Sequence, residues 1–434
     1  MKPASQHGFA LILVLWLALA LAATALCFGQ VAVLGYRTRS GVRANLQCRH
    51  TEQAAAVYVK ALLATVEAGE MPELESEEVE EIPVGGSAFW LLAPIWNESP
   101  ELSYGLVSEA GKLNLNTASK AMLQALPGMT EALAAAIVDW RDEDAEPQPY
   151  GAEDETYSRK KPPYRARNAP FDSIEELLLV EGMTEDILYG KDRNRNGLVD
   201  PWEGDGAGSS LTDYGIYHLV TVHSAEPNET GGGGEGRTNV TDAQALRRFL
   251  TRTFDAQTAS RAESAGPYRS VLEFAARSGL EREQFERIAQ ELTMSDEAML
   301  PGLVNVNVAP LAVLRCLPGI GDGDAEKLID YRVANSGSLT SIAWVLDALG
   351  NDCARELGPW VTTRTYQISA DVVAVADYRR AVRRARLVFD LSSGSPLLVA
   401  RRDQSGMAWP LGEDLWNEWK TESLADSDEG SWTP

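Results

Sequence analysis

From Phe9 to Leu34 the chain runs without a charged side chain, after a short polar leader in which Lys2 carries the single fixed side-chain charge. At ~1.5 Å rise per residue, a helix of that length crosses a hydrocarbon core of ~30 Å. The pattern therefore predicts a membrane-spanning helix over residues 9–34. No proline occurs between Pro3 and Pro72, and residues 53–66 are rich in alanine and leucine, so the helix is predicted to continue well beyond the membrane. Strands are predicted at 217–222, 366–375 and 397–402, with helices near 242–254 and 282–292.

A second pattern is an internal repeat. Asn114-Leu115-Asn116-Thr117-Ala118 is matched by Asn305-Val306-Asn307-Val308-Ala309. In the same register Leu126-Pro127-Gly128-Met129 falls on Leu317-Pro318-Gly319-Ile320, and Ile137-Val138-Asp139-Trp140-Arg141 on Leu328-Ile329-Asp330-Tyr331-Arg332. One constant offset across three blocks marks a duplicated module, with a degenerate third start at Thr238-Asn239-Val240-Thr241. Each clear copy reads as a short strand, a helix, a Leu-Pro-Gly turn and a second helix, which is the helix-hairpin-helix pattern. Its glycine turn and free helix-start amides can cradle a phosphate. Here Thr130 replaces the second glycine of the first turn, and Glu131, Asp322, Asp324 and Glu326 repel an anion. Packing is the preferred role for both units.

Composition agrees. The 434 residues are 44% hydrophobic, enough for one large core or two to three smaller ones, and carry a net charge of -24. That balance makes nucleic acid an improbable partner. Acidic clusters at 67–81 and 422–429 read as solvated linker and tail, and Arg379, Arg380, Arg383, Arg384 and Arg386 as a solvated basic stripe or docking patch. The glycine run at 231–236 lacks the Lys and Ser/Thr of a P-loop. Cys316 and Cys353 bracket one unit and could pair in an oxidising compartment, or remain buried thiols. None of the four histidines, His7, His50, His218 and His223, sits in a metal motif or nucleophile elbow. Catalysis is not expected.

The most specific local motif is Asp192, Asn194, Asn196, Gly197, Asp200 and Glu203, which fits D-x-[DN]-x-[DN]-G-x5-E at every fixed position. It places calcium ligands at loop positions 1, 3, 5, 9 and 12, with the Leu198 carbonyl at 7. Pro201 and the glycines from 204 to 208 argue against a standard exiting helix. A solvated Asx-rich turn is the competing reading.

The Gly8-Phe9 junction resembles the prepilin peptidase site of type IV pilins and pseudopilins, cut after the glycine. Ala23-Thr24-Ala25 offers a rival signal-peptidase site, a lipoprotein site at Cys27 is disfavoured by Leu26, and Arg37, Arg39 and Arg43 run against the positive-inside rule. The orientation adopted rests on the leader. With the two helix-hairpin-helix units, Asp142-Glu143-Asp144, Gly151-Ala152-Glu153-Asp154, Tyr157, Pro170-Phe171 and Glu176-Leu177, the chain resembles the minor pseudopilin K family of type II secretion systems. The resemblance covers residues 1 to about 182 and roughly 300 to the end; much of the intervening stretch looks inserted.

That resemblance implies an α+β fold: a pilin-like N-terminal transmembrane helix packed on a small antiparallel sheet, with an inserted helical domain containing the helix-hairpin-helix units. The expected divisions are a leader at 1–8, the span at 9–34, a pilin-like helix and first strands at 35–112, the helical domain with calcium-like loops at 113–300, and the second unit with C-terminal strands at 301–434. Leu13 stands where most pilins have a glutamate that pairs with a neighbour's N-terminal amine; a carboxylate in lipid needs such a partner, so its absence implies a tip subunit. The family further implies a second calcium site drawing on Asp142, Asp144, Glu153 and Asp154, I-type and J-type minor pseudopilins and prepilin peptidase as partners, and a single pass through a bacterial inner membrane with the bulk periplasmic. The alternative is a membrane-tethered DNA receptor.

Overall fold

The computed structural model describes residues 7–94, 102–204, 211–229, 236–376 and 381–417. Most of the leader, Arg379 and Arg380, residues 231–235 of the glycine run and the C-terminal acidic cluster lie outside these. A single helix, His7–Leu63, takes in the uncharged stretch and its continuation, about 86 Å in all. It is long and apolar enough to cross a membrane, and none of its most apolar window is buried within the protein. Further along, Ala44, Cys48, Ala55, Val59 and Leu63 are buried, spaced to lie on one face. Small residues at the start of that stripe let the helix approach a sheet closely.

The sheet contains β1 (Ile82–Val84), β2 (Ser87–Leu92), β3 (Val107–Ser108), β4 (Gln367–Ala376), β5 (Ala381–Asp390) and β6 (Leu397–Asp403). Its order is β1-β2-β4-β5-β6, with β3 also on β4 and every pair antiparallel. Phe89, Leu91, Ile368, Val372, Leu387 and Phe389 form the core under the helix. All ten residues of β4 are buried, because its other face is covered as well.

Strand β5 corrects the expectation of a solvated basic stripe. Arg384 and Arg386 are 2% and 8% exposed, held between the sheet and the lobe packed on it. Strand alternation was obscured there because the residues facing that lobe are charged instead of apolar.

Residues 113–361 share one hydrophobic core. Val304, Val306, Val313, Trp344 and Val361 belong to it together with Leu113, Trp140 and Phe249, so the division expected at residue 300 meets no break in packing. The apolar faces of the second unit close on the first and on the segment between them.

The lobe repeats itself three times. Leu113–Asn114 pairs in parallel with Val220–Thr221, Thr238–Asn239 with Leu292–Thr293, and Val304–Asn305 with Val361–Thr362. Each opening asparagine accepts, on Oδ1, the N–H two residues ahead: Asn116 at 2.8 Å, Thr241 at 2.9 Å and Asn307 at 2.9 Å. A short helix and a longer one follow in the first and third copies, Lys120–Gln124 with Glu131–Arg141 and Leu311–Leu314 with Asp324–Ala334. The repeated arginine ties each to its start. Arg141 donates to the carbonyls of Leu115 and Ala118, and Arg332 to those of Val306 and Ala309. The middle copy has helices Ala243–Thr253 and Ala256–Ala265.

One other expectation changes. The strand at 217–222 shrinks to Val220–Thr221, its length limited by the two-residue partner. Cys316 and Cys353 are free thiols; each donates to a carbonyl on its own local segment, Ala312 and Gly350, at 3.1 Å.

Candidate functional site

The acidic loop after helix Glu131–Arg141 brings three carboxylates together. One oxygen from each of Asp142, Asp144 and Glu153 lies within 4.8 Å of the other two. Glu153 is 5% exposed, and both of its carboxylate oxygens, like Asp142 Oδ1, are buried without a hydrogen-bond partner. Burying such oxygens unpaired is costly unless a cation shares the site, and an all-oxygen donor set suits calcium. Burial, then Asp139 and Asp142, push the Glu153 carboxyl up to about 7.

The loop is shaped from below. Asp139, fully buried, accepts the N–H of Gln148 at 3.3 and 3.2 Å. A Cβ at Gly151 would lie 1.9 Å from Asp139 Oδ2, so glycine is required there by close approach. Asp154, expected as a fourth ligand, is not in the convergent group; its Oδ1 accepts from the Ala166 N–H at 2.8 Å.

The second loop follows helix Glu185–Tyr189. Asp192 accepts from the N–H groups of Asn196 at 3.0 Å and Gly197 at 2.9 Å. Asn194 and Asn196 donate side-chain N–H to Asp200 Oδ2 at 2.7 and 3.1 Å, while Leu198 donates its N–H to Asn196 Oδ1 at 2.8 Å. Glu203 spans the loop, accepting from Asn194 N–H at 2.8 Å and Asp200 N–H at 3.1 Å. Asp192, Asn194, Asn196 and Asp200 are all buried, which departs from a solvated turn. Burial pushes Asp192 up to about 6 and Glu203 up to about 7. Although these carboxylates are not drawn together as closely as those of the first loop, two neutral amides turn their N–H groups onto Asp200 where a cation would otherwise share the charge. The donor set is one that calcium accepts.

Sequence reasoning missed the charge cluster between sheet and lobe. Glu109 Oε1 accepts from Lys112 Nζ and from Arg386 Nη2, both at 2.8 Å, and Oε2 from the Thr221 hydroxyl. Burial alone would raise the Glu109 carboxyl; Lys112 and Arg386 overcome it and hold the group well below the usual carboxylate range. His218 is kept neutral chiefly by burial, with Lys112 and Arg386 adding to it, and its Nε2 sits 3.6 Å from Asp192 Oδ2.

The turns of the repeats are not built to receive a phosphate. Thr130 Oγ1 takes the Leu133 N–H at 3.2 Å, and Asp324 Oδ2 takes the Gly321 N–H at 3.0 Å. A Cβ on Gly319 would lie 2.8 Å from Glu356 Cβ. Local side chains thus occupy the anion position, and the second turn is packed against the chain.

Residues 107–189, which hold the first repeat start, the convergent carboxylates and the helix leading into the second loop, match the family described as type II secretion system (T2SS), protein K. The resemblance drawn from its residues is therefore borne out there. A curated relative, the type II secretion system protein K of Klebsiella pneumoniae, is 45% identical over 51 residues, 12% of this chain and 16% of that protein. The chain's match thus spans about a sixth of that relative's length. Among solved structures, the GspK-GspI-GspJ complex of the enterotoxigenic Escherichia coli type 2 secretion system aligns at a TM-score of 0.44 and 12% identity, covering 85% of this chain and 99% of that one. The DNA-receptor reading gains nothing from any of these likenesses.

Proposed function

We propose that this chain is a minor pseudopilin, anchored in a bacterial inner membrane by its N-terminal helix, that caps and initiates the periplasmic pseudopilus of a type II secretion system. The protein K segment at 107–189 carries this reading. It is supported by a helix whose first part is uncharged and whose second part docks on an antiparallel sheet. Leu13 gives a neighbouring subunit above it no carboxylate to pair with, which suits the tip. Its partners are I-type and J-type minor pseudopilins and, during maturation, prepilin peptidase. The role is mechanical and non-catalytic, and the two acidic loops hold calcium.

Processing tests the membrane end of this reading. N-terminal sequencing of the mature protein should begin at Phe9, and a bulky residue in place of Gly8 should leave the leader attached. A mature chain starting at Leu26 would mark a cleaved signal peptide and end the pseudopilin reading.

A further inference from the structure

The 192–203 loop is held from outside itself by the sheet. Arg384 of β5, 2% exposed, donates Nε to Asp371 Oδ1 at 2.8 Å and Nη2 to Asp371 Oδ2 at 2.5 Å. The same guanidinium donates to the backbone carbonyls of Asn194 and, at 2.7 Å, Arg195. Those residues are loop positions 3 and 4. Positions 3 and 5 are then held by a second strap, since Asn194 and Asn196 donate side-chain N–H to the carbonyls of Trp409 and Pro410 at 2.9 and 3.1 Å. The strap starts on Arg384 as well: Gln404 N–H donates to the Arg384 carbonyl at 2.8 Å, and Arg384 N–H to Ser405 Oγ at 3.2 Å. Gly197 at position 6, with φ +88, backs onto Pro94, where a Cβ would lie 2.8 Å from the Pro94 Cα.

Lys112, Arg384 and Arg386 are buried beside Glu109, Asp371 and Asp192, and Arg384 is fully engaged with Asp371 and the two carbonyls. The loop's own cations are engaged elsewhere, Arg193 with Glu185 and Asp186 and Arg195 with Glu175 and the rings of Tyr189 and Tyr217. That leaves the loop carboxylates of Asp200 and Glu203 to a divalent cation.

We propose that Arg384 is the positioning residue of the 192–203 calcium site, through which ion binding is coupled to docking of the 404–410 strap on the sheet. The inference rests on the calcium reading of this loop given above. Arg384 touches no ion; it fixes the carbonyls of positions 3 and 4, and therefore the directions in which Asn194 and Asn196 present their side chains. By reciprocity, what orders the loop for calcium is also what calcium strengthens.

The test uses the full-length chain in detergent. Calorimetry with calcium should show two classes of site, the one at 192–203 identified by its loss in Asp192→Ala with Glu203→Ala. Arg384→Lys keeps the charge but cannot form the fork, and should weaken that site on the order of tenfold or more, as outer-shell substitutions do. The site at Asp142, Asp144 and Glu153 should bind as before. Amide hydrogen exchange on the wild-type chain should show calcium protecting 192–203 and 404–410 together, a readout that decides the matter even if the lysine variant does not fold. Unchanged calcium affinity in Arg384→Lys, or protection of the loop without the strap, overturns the role of Arg384 and leaves the calcium site standing. Absence of calcium at this loop in the wild-type chain overturns the site itself, and the role with it.

Discussion

Glu109→Ala should destabilise the fold by about 3–5 kcal/mol, the usual cost of breaking a buried ion pair by removing one partner. Glu109 is 0% exposed and satisfies Lys112, Arg386 and Thr221 at once. Alanine leaves the buried Arg386 guanidinium without its carboxylate, and Lys112, already lowered to about 8 chiefly by burial, loses the group that helps hold its proton. Arg386 lies in β5 and Thr221 in the strand that closes the first repeat, so the loss falls on the contact between sheet and helical lobe. The effect has a definite pH dependence. A carboxylate whose folded pKa is depressed contributes its stability above its unfolded value, about 4.3, and loses it as pH falls from there toward the folded value. The gap between wild type and variant should thus be full at neutral pH and close in acid. Urea unfolding in detergent, followed by near-ultraviolet circular dichroism, measures it through the shift in midpoint. A change below about 1 kcal/mol would be the signature of an exposed pair, and would mean that the cluster is hydrated.

Calcium removal should produce the second large effect. At a free ion concentration 100 times Kd, each site contributes about 2.7 kcal/mol by mass action, so a chelator should lower the melting temperature by several degrees. Asp142→Ala with Glu153→Ala, and Asp192→Ala with Glu203→Ala, should each remove one part of the calcium-dependent shift. In the calcium-free protein the first pair also relieves partnerless buried oxygens; that variant should melt no lower than the chelated wild type. Melting indifferent to millimolar calcium and to chelator would defeat both sites.

What the sequence made legible was what local patterns control. Absence of charge from Phe9 to Leu34 marks the apolar first part of the long helix, whose most apolar window is left uncovered by the rest of the protein. A constant offset between the asparagine blocks marks the repeat, and the positions of the 192–203 motif are set within one loop. Strands β4 and β6 could be read because most of their residues are apolar or β-branched. Strand β5 could not: its lobe-facing residues are Arg384 and Arg386, and only the partners Asp371 and Glu109, distant in sequence, make burying them tolerable. The middle repeat was nearly hidden for a related reason. It keeps the asparagine turn and the closing threonine, Asn239 and Thr293, but lacks the Leu-Pro-Gly and arginine signals. Nothing local could place the 192–203 loop on the sheet, because the groups that hold it lie at positions 384, 409 and 410.

The role at the pseudopilus tip is tested most directly by purifying the full-length chain from crosslinked membranes of its own host and identifying its companions by mass spectrometry. The account predicts stoichiometric recovery of an I-type and a J-type minor pseudopilin, with this chain present once per complex. Recovery of neither, or of this chain in many copies along a filament, would contradict it.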